Sequence, residues 1–363
     1  MQSQPLQPDK VREKRRSIVG CLLGCAVGDA LGLPYEALSR KRQLKLYPEI
    51  SGHRFIFGRG MISDDTEHIC MAAQALIVSA GDPEQFSTSF TRRLRWWLLS
   101  LPPAIGFATL RAIFKLWIGF PSNKSGVFSA GNGPAMRSAI LGVCYGNDSA
   151  RLRKLVKACT QVTHTDPKAE WAALAVAIAA HVASSGPTPE HFLQTFRNAL
   201  GDDVQDAAEF LDLLDRAARS ATRGESTQSF AESLGLGAKV SGYSFHSVPV
   251  ALHTWLRHPN DFSAVLNAIR CGGDTDTVAA IAGAIIGARV GKEGIPQQWL
   301  EEMWEWPRTM AWIEQVGSRL AEVCATGTPQ SAVPLPVWAL LPRSIGFTAI
   351  MLAHGIRRLL PPY

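Results

Sequence analysis

The chain has 363 residues, 46% apolar and 19% charged, with a formal net charge of +6. This composition excludes a disordered or collagen-like chain, and the length is ample for a buried core. The positive balance suits a basic surface or attraction to a polyanionic substrate such as a diphosphate.

In chain order, the first segment, Met1 to Ser17, is polar and carries Lys10, Arg12, Lys14, Arg15 and Arg16. The apolar run Ile18 to Leu33 follows, with Gly20, Gly24 and Gly28 at intervals of four and Asp29 inside it. A carboxylate is costly at a bilayer centre, so this run reads as a buried helix with close neighbours rather than a membrane span. His53 to Phe57 is the one candidate for an extended segment. Ile69, Ala72, Ala73, Leu76 and Ile77 share a helical face, as do Leu152, Leu155, Val156 and Cys159. Trp171 to Val182 is an alanine-rich helix whose first turn holds Pro167 and Glu170. Val278, Ile281, Ala282, Ile285 and Ile286 mark another buried helix. The expected architecture is all-α: one compact orthogonal multi-helix bundle over residues 16–325, after a polar tail (1–15). An extension with several prolines (326–363) follows. Within it Ser344 to Ile356 is apolar and uncharged, too short to span a bilayer. It reads as a tail packed on the main domain, or as a membrane-surface or partner-binding helix with basic flanks.

Seven cysteines, Cys21, Cys25, Cys70, Cys144, Cys159, Cys271 and Cys324, are scattered among apolar residues without a Cys-x-x-Cys pair. They read as free thiols in a reducing compartment, the cytoplasm, rather than a disulfide frame or zinc site.

Two short aspartate motifs carry the chemistry. Ser63-Asp64-Asp65-Thr66 follows the Gly58-Arg59-Gly60 loop and opens an apolar helix. Alone it is a helix entry, with Asp64 and Glu67 at capping-box spacing. Gly272-Gly273-Asp274-Thr275-Asp276-Thr277 opens a second one. Four carboxylates share a site in ionised form only if cations neutralise them. The donors are all hard oxygens, which favours Mg²⁺ or Mn²⁺ over Zn²⁺, and two dications balance four charges. Other local signals are Glu36 in a loop after Pro34-Tyr35, the Gly131-Asn132-Gly133 turn leading to Arg137, Thr163-His164 before a helix, and Gly242-Tyr243. The backbone N–H groups of a glycine-rich turn suit a phosphate. Each signal also has a structural reading: a solvated carboxylate, an ion pair, a cap or a packed ring.

Taken together, these segments resemble the ADP-ribosylglycohydrolase family, from about Ile18 to Val290, in order and in approximate separation. The resemblance implies an orthogonal all-α bundle around two Mg²⁺ (or Mn²⁺) ions. It implies Ser63, Asp64, Asp65, Asp274, Asp276 and Thr277 as metal ligands, with Asp64, Asp65, Asp274 and Glu36 serving catalysis. Gly131, Asn132, Gly133, Arg137, His164 and Tyr243 would bind substrate. The implied reaction releases ADP-ribose from a protein side chain or a small ADP-ribosyl conjugate, by a monomer with no nucleic-acid partner and no membrane span. Chemistry alone also admits a two-metal hydrolase of a nucleotide diphosphate, or a non-catalytic ADP-ribose binder or immunity-type partner. Ala104 departs from the family pattern, which often has Asp before Ile105-Gly106.

Overall fold

The computed structural model describes residues 8–185 and 189–361. Among these the chain forms nineteen α-helices joined by turns and 3-10 segments; there is no strand, and four isolated β-bridges stitch loops together. The helices that frame the site and the C-terminus are α1 (Pro8–Gly32), α2 (Arg40–Leu46), α3 (Asp64–Ser79), α4 (Pro83–Leu98), α5 (Pro167–Ser185), α6 (Ser244–Arg257), α7 (Thr275–Val290), α8 (Met310–Thr326) and α9 (Leu340–Arg358).

The centre is the pair α1 and α7. From Ile18 onward α1 is apolar on every side, as is most of α7, and both are buried along nearly this whole apolar length. The glycine period of four in α1 exists because the two backbones touch. A β-carbon at Gly20, Gly24 or Gly28 would lie 2.1–2.2 Å from the carbonyl oxygens of Gly287, Gly283 and Ala279 respectively. On α7, Gly283 and Gly287 return the same contact against Gly24 and Gly20. No side chain larger than hydrogen fits at these crossings.

α1 is long and apolar enough to cross a membrane, but its apolar window is entirely buried in the core. It starts at Pro8, so the part of the expected polar tail that is described is helical; residues 1–7 lie outside the described residues. His53 to Phe57 is not an extended segment. The chain turns into a 3-10 element at Ile56–Gly58, with Phe57 at φ 57° and Gly58 at φ 70°. The cysteines are free, six of them buried.

The extension forms α9, fastened along one side. Arg343 donates to Glu305 (2.6 and 2.9 Å) and to the Ile62 carbonyl (2.6 Å). Phe347 is buried edge-on to Phe55. His354 Nε2 is 2.8 Å from the Pro34 carbonyl, and Arg358 donates to the Glu36 carbonyl. The helix therefore runs from the loop before the first aspartate motif to the loop that carries Glu36.

Candidate metal centre

The N-terminus of α3 needs acceptors for its free N–H groups. Ser63 is the cap, accepting from Asp65 N (3.2 Å). The larger share falls to Asp29 of α1, whose Oδ2 accepts from Ser63 N (2.9 Å), Thr66 N (3.2 Å) and Thr66 Oγ1 (2.5 Å). The capping-box spacing of Asp64 and Glu67 is not used. Glu67 turns away from the helix start to Arg308 and Trp97, both at 2.5 Å. Asp64 and Asp65 are thereby released from capping.

α7 shows the same economy. Asp274 stands at its N-cap, but its side chain makes no cap hydrogen bond. Its Oδ2 accepts instead from Asn132 Nδ2 (2.6 Å). Thr275 Oγ1 donates to Gly32 O (2.8 Å), which ties the start of α7 to the end of α1. Gly273 holds the turn at φ 86°, and a β-carbon there would meet Val240 O at 1.9 Å, so glycine is required on both counts.

The two motifs meet. Asp65 Oδ2 accepts from Ser63 Oγ (3.2 Å) and, across the site, from Thr277 Oγ1 (3.1 Å). Asp65 Oδ1 is buried with no partner. Glu36 joins from the side, because its loop is stitched to the second motif: Ala37 N donates to Gly273 O and Gly273 N to Leu38 O, both 2.7 Å.

Burial first, and the neighbouring carboxylates second, push Asp64, Asp65 and Asp276 well above the usual carboxylate range. Asp274 is raised by burial and partly relieved by hydrogen bonds from Asn132 and Thr277. Glu36 is pushed up to about 7 by burial and by Asp274, with Arg358 opposing, and Asp29 to about 6 by burial. Such a cluster calls for cations. Among the described residues no three Asp, Glu, His or Cys side chains close into a ready cage. The set is an open one, in which hydroxyls and solvent would complete the coordination of hard ions.

The opposite wall is the Gly131–Gly133 turn. Asn132 is held from two sides: its N–H donates to Gly242 O (2.9 Å) and its carboxamide to Ser247 (3.1 Å) as well as to Asp274. Gly131 N donates to Ser129 Oγ (3.3 Å). Two of the turn's N–H groups are thus committed within the protein, so the turn is not the row of free phosphate donors its composition suggests. The glycines instead make room for the His164 ring, which a β-carbon at Gly131 or Gly133 would approach to 3.0–3.1 Å. His164 is buried and driven down to about 3 by burial and by Arg137, so its imidazole is neutral. Tyr243 lies beside the turn through the Gly131–Tyr243 bridge, edge-on to His246, with its hydroxyl 3.1 Å from Lys168 Nζ.

Arg137 departs from its expected role in substrate binding. It is completely buried behind the turn. Its guanidinium bonds the Cys159 carbonyl (2.9 Å), Thr163 Oγ1 (2.6 Å) and His68 Nδ1 (3.1 Å), and it lies over the Phe90 ring. It fixes Thr163, which in turn is 2.8 Å from His164 Nδ1. Ala104 is exposed at φ 59°, a left-handed position that Asp or Asn tolerates better than Ala. Asp29 was not singled out as a site residue in the sequence. Its signal is a lone carboxylate in the otherwise apolar run Ile18 to Leu33, which when buried must find donors.

The all-α bundle and the meeting of its two acidic helix entries at Asp65 agree with what the resemblance to the ADP-ribosylglycohydrolases implies. The profile of that family matches residues 9–330, and the chain belongs to it. A protein of Archaeoglobus fulgidus, described only as uncharacterised, is 30% identical over 317 residues, covering 84% of this chain and 95% of its own. Human ADP-ribosylhydrolase ARH3 is 28% identical over 332 residues (77% and 87% of the two chains). The ADP-ribosyl-[dinitrogen reductase] glycohydrolase of Rhodospirillum rubrum is 25% identical over 295 residues (78% and 89%). Among solved structures, one titled "ADP-ribosylglycohydrolase-related protein complex" matches with a TM-score of 0.62 at 27% identity, covering 86% of this chain and 99% of that one.

Proposed function

We propose that the protein is a metal-dependent hydrolase. It cleaves the glycosidic bond between ADP-ribose and a protein side chain, or a related conjugate, and releases ADP-ribose. The observation that carries this reading is the meeting of the two motifs at Asp65, whose carboxylate takes hydroxyl bonds from both Ser63 and Thr277. A carboxylate cluster in which Asp64, Asp65 and Asp274 are spared capping duty and only Asp276 accepts a first-turn N–H, from Thr277 (2.9 Å), with one oxygen of Asp65 buried and unpartnered, fits hard divalent cations. Ser63, Asp64, Asp65, Asp274, Asp276 and Thr277 would hold two Mg²⁺ or Mn²⁺ ions. When bound, the ions would neutralise the aspartates and polarise a water.

The chain's own residues do the remaining work. Asn132 holds the Asp274 carboxylate by donating to its Oδ2. Asp64, Asp65 and Asp274 are the candidates for accepting a proton from an attacking water, and bound ions would keep them ionised, unlike the free acid–base pair of ordinary glycosidases. Glu36 stands beside the aspartates on the loop stitched to the second motif and is the candidate for a contact with the ribose. In the Gly131–Gly133 turn the side chain of Asn132 is tied to Asp274 and Ser247, and the two glycines add no bulk in front of neutral His164, which leaves room for a ribose and diphosphate to lie against the turn. Tyr243 borders the same turn, which supports it as the candidate for contact with the nucleotide.

The test is to incubate the protein with Mg²⁺ or Mn²⁺ and a panel of defined ADP-ribosyl conjugates, and to analyse the products. Free ADP-ribose supports the reading. AMP would mean diphosphate cleavage instead, and binding of ADP-ribose without turnover on any conjugate would mean a binding protein.

A further inference from the structure

The inner side of α9 is fully engaged with the body; its outer side is not. Trp338, Ile345, Leu352, Ile356 and Leu359 are 60–73% exposed, and with Leu341 they recur at helical intervals of three, four and seven, forming one stripe. Between Leu340 and Ile356 the helix has one charged residue, Arg343, and that one is buried. The segment Val337–Arg358 is long and apolar enough to cross a membrane, yet Arg343, Phe347 and His354 anchor it sideways on the protein. A helix held flat in this way cannot span a bilayer, but it can lie in its surface.

The two ends of the stripe differ. At the start, exposed Trp338 packs on Trp306, with Trp304 also exposed nearby in sequence. Indoles of this kind, apolar with one polar N–H, favour the boundary between headgroup and acyl chain. At the other end exposed Arg357 stands beside α2, since Arg42 donates to the Arg358 and Leu360 carbonyls (2.9 and 3.3 Å). α2 reads Arg-Lys-Arg-Gln-Leu-Lys-Leu, has no acidic residue, and exposes Lys41 and Leu44. No Asp or Glu follows Glu322 in the chain. A second copy of the same surface would bring no counter-charge to this basic end, whereas an anionic bilayer supplies it along with the apolar phase.

We propose that the outer face of α9, with α2 at its basic end, docks the protein on an anionic lipid surface, lying ~28 Å along the interface by its 19 residues. The probe is the full chain sedimented with phosphatidylcholine vesicles, with and without phosphatidylserine. The expected result is recovery of the protein with the phosphatidylserine vesicles, weakened by high salt. Leu352→Glu combined with Ile356→Glu reduces recovery to the level without vesicles, and Arg357→Gln reduces the preference for phosphatidylserine. Because these side chains are exposed, the melting temperature stays at the wild-type value, which separates lost docking from lost folding. The proposal is overturned if the wild type stays in the supernatant with both vesicle types, or if the double variant still sediments with them. It is equally overturned if the stripe proves to be a self-association surface, shown by a wild-type dimer that the double variant dissolves and that ignores vesicles.

Discussion

At the residue scale, the site depends on which carboxylates are spent on structure and which are left for ligands. Asp29 saturates the start of α3, so Asp64 and Asp65 remain available; Asn132 turns Asp274 away from its helix. Asp274→Ala is expected to abolish ADP-ribose release while leaving the far-ultraviolet spectrum unchanged, because the side chain makes no cap bond; retained turnover at limiting Mg²⁺ would refute the metal role. Glu36 gives a pH prediction. Its carboxyl is raised from 4.5 to about 7 in the folded, metal-free protein. The folded state therefore binds the proton more tightly than the unfolded one, and stability is lost as pH rises from 4.5 through 7. In a chelator, Glu36→Gln should melt higher than wild type at pH 8, with the difference closing below pH 4.5; melting curves across that range decide it. Both aspartate motifs were legible as acidic helix entries. Arg137 was not, because the groups that enclose it, Phe90, Cys159 and Thr163, come from segments that the sequence does not show to be adjacent. Asp29 stood out as a buried charge, but its partners lie more than thirty positions away.

At the scale of elements, periodicity located the helices, and the glycine interval in α1 signalled a close neighbour without naming it. That neighbour is α7, met through Gly283 and Gly287. Gly24→Ala would place a β-carbon 2.2 Å from the Gly283 carbonyl. Overpacking of this kind costs about 1–3 kcal/mol, and more where backbone must move; urea denaturation should show a lower midpoint with an unchanged slope. α9 acts on the Glu36 loop from outside residues 9–330, through Arg358 and His354. Arg358→Ala should speed amide hydrogen exchange in residues 33–39, whereas exchange in α7 stays slow. Equal exchange in the loop would show that α9 merely rests there. Nothing in the sequence of the extension indicated which loop its arginine would reach, because this contact joins positions 322 apart.

At the scale of the whole molecule, cations bound by the buried acidic cluster would make folding and cation binding one equilibrium. A ligand bound only by the folded state, at a hundred times its dissociation constant, adds about 2.7 kcal/mol of stability. Mg²⁺ or Mn²⁺ should therefore raise the melting temperature of the wild type and leave that of Asp65→Ala nearly unmoved. An equal rise in both would place the ions elsewhere. The all-α class followed from the scarcity of strand patterns, but the convergence of loops around positions 36, 132, 243 and 274 did not, since three-dimensional closure depends on single backbone bonds such as Asp274 N to Val240 O (2.9 Å).

The touching backbones of α1 and α7 also decide how such a site can move. Where two helices meet through glycine, no rotamer change can widen or narrow the gap between them. The second motif, at the head of α7, and Asp29, which seats the first, are therefore carried on one solid piece. Widening the site for a bulky conjugate would have to break the bonds that tie residues 33–39 and 129–133 to the head of α7, such as Ala37 N to Gly273 O and Asn132 Nδ2 to Asp274. The helix pair is thus the fixed jaw of a vice, and differences in what related proteins grip should be sought in the loops that face it.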